Sequence, residues 1–297
     1  MRIVTRPDFD GIVCAVLLRE ALHITQPVKW VEPSDVQRGL AEIRKGDILA
    51  NLPYDDNCTL WFDHHYTNRI HRAYRGVFRI APSAAGLIFE HFQNRFKRDY
   101  RELVTATDKI DSADLTLDEV LHPERYDYVL ISMTVFDGDH DCEPYWNKLV
   151  DLIGRYSFDR VLADPEVKRR CQEVIEQNNQ YLVYLKDFTR LEKNVSITDF
   201  RTLSHTPVGN RFLVYSLFPE SVVNVRIRYE DRNREIVVVN VGHSIFKRGC
   251  EVNVGLLLAE FGGGGHRGAG SARFPKSKAQ EYISKIIETL QENKSNE

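Results

Sequence analysis

Asp8 and Asp10 flank a single phenylalanine in the run Asp8-Phe9-Asp10-Gly11, and two carboxylates spaced this way on a strand-end turn can each offer an oxygen to a divalent ion. Gly11 then lets the chain turn sharply into an apolar helix. Taken alone, the pattern fits an acidic surface turn with a helix cap just as well. Asp63-His64-His65 tips the balance. It follows the apolar run Leu60-Trp61-Phe62 and so sits at the carboxyl end of a strand. Adjacent histidines on an extended chain point in opposite directions, one toward a metal and its neighbour toward substrate. Asp63 is placed to fix an imidazole tautomer from behind the ligands. A third acidic stretch carries Asp108, Asp111 and Asp114 at three-residue spacing, as a solvated helix face would. Asp108 is the first choice to close a metal site from the far side, with Asp111 in reserve.

The fourth feature is Gly262-Gly263-Gly264-Gly265-His266-Arg267-Gly268-Ala269-Gly270, with six glycines in nine residues. Such a run lets backbone N–H groups converge on an anion, and His266 and Arg267 add donors. Its spacing matches neither a Walker loop nor a dinucleotide-binding fingerprint, which argues against a nucleoside triphosphate or NAD. The run Asp137-Gly138-Asp139-His140-Asp141 is a weaker candidate for a metal-binding loop, because it lacks the spacing of an EF-hand.

The elements that must hold these residues alternate in type over the first half of the chain. Short β-prone runs at 2–5, 28–31, 47–52 and 59–62 interleave with a helix over 12–22 and another capped by Ser83. That alternation predicts an α/β fold with a parallel sheet, where ligands bind beyond the carboxyl ends of the strands. Asp8, Asp10, Asn51 and the Asp63 triplet all fall there. A long helix is expected from Asp164 to about Glu192. It is followed by β-rich stretches at 195–197, 211–216, 222–229 and 235–241, an apolar helix over 252–261, and a charged helix from Lys276 that fades into a disordered end. The domains expected are a catalytic one over 1–155, a helical linker over 156–192, and a smaller C-terminal α/β domain with a mixed sheet over 193–297.

With 42% hydrophobic residues, the 297-residue chain can bury two cores. A formal net charge of -3 excludes a protein that coats nucleic acid through bulk positive charge, so a phosphate-bearing partner must meet a local site. Arg69, Arg72, Arg75 and Arg79 form one locally basic segment that could steer an anion, or simply a solvated face. Five scattered cysteines without a C-x-x-C pair argue against a disulfide framework or a zinc knuckle. No run approaches the ~20 apolar residues of a membrane span, and the start has no signal-like segment. The expectation is a soluble cytoplasmic protein, with homodimerisation left open.

In their order along the chain, Asp8-Phe9-Asp10-Gly11, Asp63-His64-His65, Asp108 and Gly263-Gly264-Gly265-His266 resemble the motifs of the DHH phosphoesterases that carry a DHH-associated C-terminal domain. The resemblance spans nearly the whole chain. It implies metal-dependent hydrolysis of short oligonucleotides or related phosphoesters, as in nanoRNases, single-strand exonucleases and exopolyphosphatase-like proteins, with divalent metal, most often manganese, as one or two ions. It also implies Asp8, Asp10, His64 and Asp108 as metal ligands and His65 as a phosphate contact. His266, Arg267, Gly264 and Gly265 would bind substrate from the second domain, with Arg248 as a further contact. Two positions depart from the pattern: Val4 stands where many relatives have a metal-binding histidine, and Asn51, a further implied metal ligand through its carbonyl oxygen, where they have a bridging aspartate. The alternative is a degenerate relative that binds a nucleotide or phosphate without turning it over.

Overall fold

The computed structural model describes residues 1–135, 142–230 and 233–297. The acidic run at 137–141 lies outside the described residues. The chain divides into two compact units, one of residues 1–115 and 123–173, the other of residues 116–122 and 174–297. No helix of the described residues is long and apolar enough to cross a membrane.

In the first unit, five short strands line up in the order β2-β1-β3-β4-β5, every neighbour parallel. They are β1 (Ile3–Thr5), β2 (Lys29–Trp30), β3 (Asp47–Ala50), β4 (Cys58–Asp63) and β5 (Gly76–Phe78). The expected strands of this half are present. β5 was not expected, because its three residues follow a polar, arginine-bearing stretch without alternation. The chain leaves β1 for β2 on one side and returns to β3 on the other. The strand order therefore reverses between β1 and β3, which opens a crevice at their carboxyl ends.

α1 (Phe9–Leu22) and α3 (Ala84–His91) pack on one another and on the sheet. Nearly all of α1 is buried, so it reads as uniformly apolar rather than amphipathic. The opposite sheet face buries Val4, Val31, Leu49 and Trp61 in one cluster with Leu52, and α2 (Pro33–Gln37) contributes Val36. Trp61 stacks on Phe78 with ring centroids 5.1 Å apart and donates its indole N–H to Leu52 O at 2.8 Å. α4 (Arg101–Asp111), α6 (Asp127–Val135), α7 (Glu143–Arg155) and α8 (Phe158–Leu162) complete this unit, while α5 (Leu117–Leu121) belongs to the other.

The long helix α9 runs from Pro165 to Phe188, and the chain is already in strand β6 (Thr189–Glu192) where more helix was expected. Thr189 pairs with Thr198 across the ladder, so sheet pairing overrides helical continuation there. The second unit's sheet has the order β10-β11-β9-β8-β7-β6 and is mixed, since β7 (Val195–Asp199) and β8 (Val223–Tyr229) are parallel and the other neighbours antiparallel. The stretch expected as a strand over 211–216 is instead α10 (Leu213–Leu217). It buries Leu213, Val214 and Tyr215, and the Tyr215 hydroxyl donates to Gly242 O in β9 (Ile236–His243) at 2.6 Å, so this apolar run covers a sheet rather than joining it.

α11 (Val254–Ala259) is capped by Asn253, and α12 (Lys276–Glu292) ends at Asn293 in a left-handed conformation. The end expected to be disordered is held by asparagine side chains that stand in for backbone. Asn293 bonds Glu251 N and Gly249 O, and Asn296 bonds both backbone groups of Asn253.

Candidate metal centre

Asp8 ends the turn after β1 as the N-cap of α1, accepting from Gly11 N at 2.8 Å. Gly11 itself is required by close approach rather than by an unusual dihedral: a Cβ there would lie 1.9 Å from Arg6 O. Asn51 follows β3 with φ of 57° and donates its amide nitrogen to both Asp8 oxygens at 3.0 and 3.2 Å. The Arg6 guanidinium pairs with Asp8 Oδ2 at 3.2 Å. Arg6 is a member of the site that the sequence patterns missed; its only signal was a cation two residues before the acid pair.

Asp10 points the other way, into the interior. Its carboxylate accepts from the backbone N–H groups of Ala84 and Ala85 at 3.0 and 2.8 Å, so the N-terminus of α3 holds it through two free amides and the helix dipole. Across from it stands His64, whose Nδ1 lies 2.9 Å from Ala81 O. A carbonyl oxygen only accepts, so Nδ1 carries the proton and Nε2 presents a lone pair. That Nε2 is buried and has no hydrogen-bond partner among the described residues, although Asp111 Oδ2 lies 3.3 Å away and Asp10 Oδ2 3.9 Å away. One atom each from Asp10, His64 and Asp111 converge within 4.8 Å. The His64 side chain is only 9% exposed.

Asp63, His64 and His65 also come within 4.8 Å of one another, but Asp63 is committed elsewhere. It is fully buried and accepts from His65 Nδ1 at 2.8 Å and from Asn68 at 2.7 Å. It therefore holds the His65 ring through that bond. Burial pulls the His65 pKa down, but the Asp63 bond and charge outweigh it, and the net direction is up. Asp108 lies one helical turn from Asp111 and takes a short hydrogen bond from the Ser83 hydroxyl, while Gly86 N donates to the same hydroxyl at 2.9 Å. The structure thus brings Asp111, the reserve candidate, into the cluster and ties Asp108 to the cap of α3. Val4 is fully buried in the apolar cluster on β1. Asn51 keeps one buried oxygen, Oδ1, without a donor.

Burial raises the carboxyl pKa of Asp8, Asp10 and Asp111, and for Asp111 the charges of Asp10 and Asp8 raise it further. Anionic oxygens crowded together, with Asp10 fully out of water, beside an orphaned imidazole nitrogen are a poor arrangement for the protein alone and a good one for a hard or borderline dication. The residues fit a divalent ion, which Asp10, His64 and Asp111 would hold.

In the second unit, β10 (Gly264–His266) and β11 (Ala269–Pro275) form a hairpin closed by Arg267 and Gly268. Part of the glycine content has a packing cause. Gly265 has φ of 152°, and a Cβ there would meet Ala269 O at 2.3 Å. Gly264, His266 and Arg267 bring the hairpin's exposed tip together, with an Arg267–Glu297 pair at 3.8 Å. Arg248 lies on an exposed turn after β9. Two of the arginines over 69–79 are paired, Arg72 with Asp56 at 2.7 Å and Arg79 with Glu90. Half of the segment's charge is therefore met locally.

No protein-family model matches the chain, and no curated protein sequence does. Among solved structures, a pGpG-specific phosphodiesterase, PggH, from Vibrio cholerae is 30% identical, with a TM-score of 0.83 over 98% of this chain and 99% of that one. The chain belongs to the DHH phosphoesterase family. Two more distant structures share the fold. An exopolyphosphatase-related protein from Bacteroides fragilis is 13% identical over 98% of this chain and 92% of its own, with a TM-score of 0.56. RecJ from Thermus thermophilus, in complex with Mn2+, is 11% identical over 98% of this chain and 52% of its own, with a TM-score of 0.59.

Proposed function

We propose that the protein is a metal-dependent phosphodiesterase that hydrolyses short oligonucleotides, with a guanine dinucleotide such as pGpG as the first substrate to test. The carrying observation is the buried His64 Nε2, without a hydrogen-bond partner and facing the carboxylates of Asp10 and Asp111. The choice of substrate rests on the 30% identity to a pGpG-specific enzyme over nearly its whole length. A divalent ion such as Mn2+ is the metal to test, given the Mn2+ and the Mg2+ held by a protein of the same fold.

When bound, such an ion supplies Lewis-acid stabilisation of a phosphoryl group and brings the pKa of water toward neutrality. The chain's own residues do the rest. Asp10, anchored on α3, and His64, anchored on Ala81 O, are fixed before the ion arrives, so little reorganisation is needed. His65, turned by Asp63, donates to a phosphate oxygen through Nε2 in its protonated form, the form that the Asp63 hydrogen bond and charge favour. The net charge of -3 suits a substrate with few phosphates better than a long polymer. Arg248, Gly264, Gly265, His266 and Arg267 stay the proposed substrate-binding set of the second unit.

The test is turnover by the purified chain with Mn2+ on pGpG, two- to five-residue RNA, phosphoadenosine phosphate and polyphosphate. Release of GMP from pGpG is the expected result. A chain with bound metal that turns over none of these is not an esterase of this class. The second reading, a catalytically degenerate binder, is favoured by Val4 and Asn51, which stand where ligands are expected. It calls for nucleotide binding that survives chelation and an Asp10→Ala change.

A further inference from the structure

We infer that this chain holds a single divalent ion, at Asp10, His64 and Asp111, and that Arg6 and Asn51 take up the Asp8 carboxylate in place of a second ion. The inference rests on the metal-dependent reading above. It concerns how the two halves of the acidic cluster differ.

A carboxylate offers two oxygens and about four lone-pair positions. At Asp8 these are crowded by nitrogen donors. Oδ1 receives Gly11 N at 2.8 Å and the Asn51 amide at 3.0 Å, while Oδ2 receives the same amide at 3.2 Å and the Arg6 guanidinium at 3.2 Å. The amide must present its nitrogen here, since only the N–H end can face a carboxylate. An aspartate at position 51 would bring a second negative charge to that spot and call for a cation between the two. Asparagine brings the positive end of a dipole instead, and Arg6 supplies the full charge. Arg6 and Asn51 thus do for Asp8 what a metal would do.

Position 4 adds no ligand. Val4 is fully buried among Val31, Leu49 and Trp61, so the strand that leads to Asp8 supplies an apolar contact and no ligand atom.

The other half of the cluster differs in the imidazole it holds. Asp10 also accepts from three donors, the Ala84 and Ala85 amides and the Cys14 thiol, but its Oδ2 faces His64 Nε2 at 3.9 Å. Asp111 Oδ2 comes within 3.3 Å of the same imidazole nitrogen, and that nitrogen, on a side chain nine-tenths buried, has no hydrogen-bond partner. An orphaned imidazole nitrogen between two carboxylates calls for a cation, whereas Asp8 already has a cation beside it in Arg6 and the N–H end of the Asn51 amide.

The experiment is Mn2+ binding to the metal-stripped full-length chain, read by calorimetric stoichiometry and by the electron paramagnetic resonance line shape, which separates an isolated ion from a spin-coupled pair. The expected result is one ion per chain with an uncoupled spectrum. Asp8→Asn should keep that ion, and Asp111→Asn should weaken it about tenfold or more, with folding of each variant checked by circular dichroism. The double change Arg6→Ala with Asn51→Asp frees Asp8 and restores a bridging acid, and should take up a second ion. Two coupled ions in the unmodified chain overturn the inference and leave the metal-dependent reading standing. No ion at all overturns both. A double variant that still takes only one ion shows that Arg6 and Asn51 are not what excludes the second, and overturns that half of the claim.

Discussion

Asp63 touches no ion in this account, yet its removal should be felt in catalysis. It anchors the His65 Nδ1 and also holds Asn68. Asp63→Asn preserves the shape but loses the charge that lifts the His65 pKa against its burial. The expected outcome is a fall in kcat of about 10- to 100-fold, the range for residues that orient a site from behind. A proton NMR titration should show the His65 pKa shifted downward, and an unchanged titration would contradict the role given to Asp63. The three acids Asp8, Asp10 and Asp111 make a second prediction. Burial raises their folded pKa above the unfolded value. Their contribution to the metal-free fold is therefore present below the ordinary carboxylate range and lost as pH rises through the raised values. Mn2+ relieves that loss, so its thermal shift should be larger near pH ~7.5 than near ~5.5; at a hundredfold excess over Kd it amounts to about 2.7 kcal/mol. A shift that grows as pH falls would contradict this assignment. The acid pair and the Asp-His-His run were legible in the sequence because each is a local pattern at a strand end. The choice between Asp108 and Asp111 was not, because acids three apart share a helix face and only the packing of α4 decides which turn reaches His64.

At the scale of elements, the turn from β1 into α1 is the tightest part of the site. Gly11→Ala would place a Cβ 1.9 Å from Arg6 O, against backbone that cannot swing aside. Relief must come from shifting the turn that carries Asp8 and Asp10. A loss of about 1–3 kcal/mol is expected by chemical denaturation, in the range of overpacked interiors, together with weaker Mn2+ binding; a variant of unchanged stability and metal affinity would contradict the packing argument. The sequence placed glycine here correctly for a turn but for the wrong cause, since conformational freedom is not what the position uses. Strand alternation made β1 through β4 readable. The run that became α10 was misread because Phe212, Leu213, Val214 and Tyr215 suit a buried strand as well as a short buried helix, and only the sheet beneath them arbitrates. β6 was absorbed into the preceding helix because nothing in Thr189–Glu192 breaks a helix; its pairing with β7 does.

For the whole molecule, two cores account for a chain whose chemistry-bearing motifs lie at both ends of the sequence. The first unit's parallel sheet reverses its strand order between β1 and β3, and that reversal places Asp8, Asp10 and Asn51 at one crevice. This much followed from alternation and the strand-end rule. The mixed topology of the second sheet rests on one parallel pair, β7 with β8, embedded among antiparallel neighbours. Family and cluster chemistry meet in one measurement, Mn2+-dependent hydrolysis of pGpG by the unmodified chain, Asp10→Asn and His64→Ala. GMP release that needs the metal and falls at least about a hundredfold in both variants, the loss expected when transition-state stabilisation is removed, is the result expected. Turnover that persists in both variants, or a metal-loaded chain that leaves pGpG intact, would contradict it.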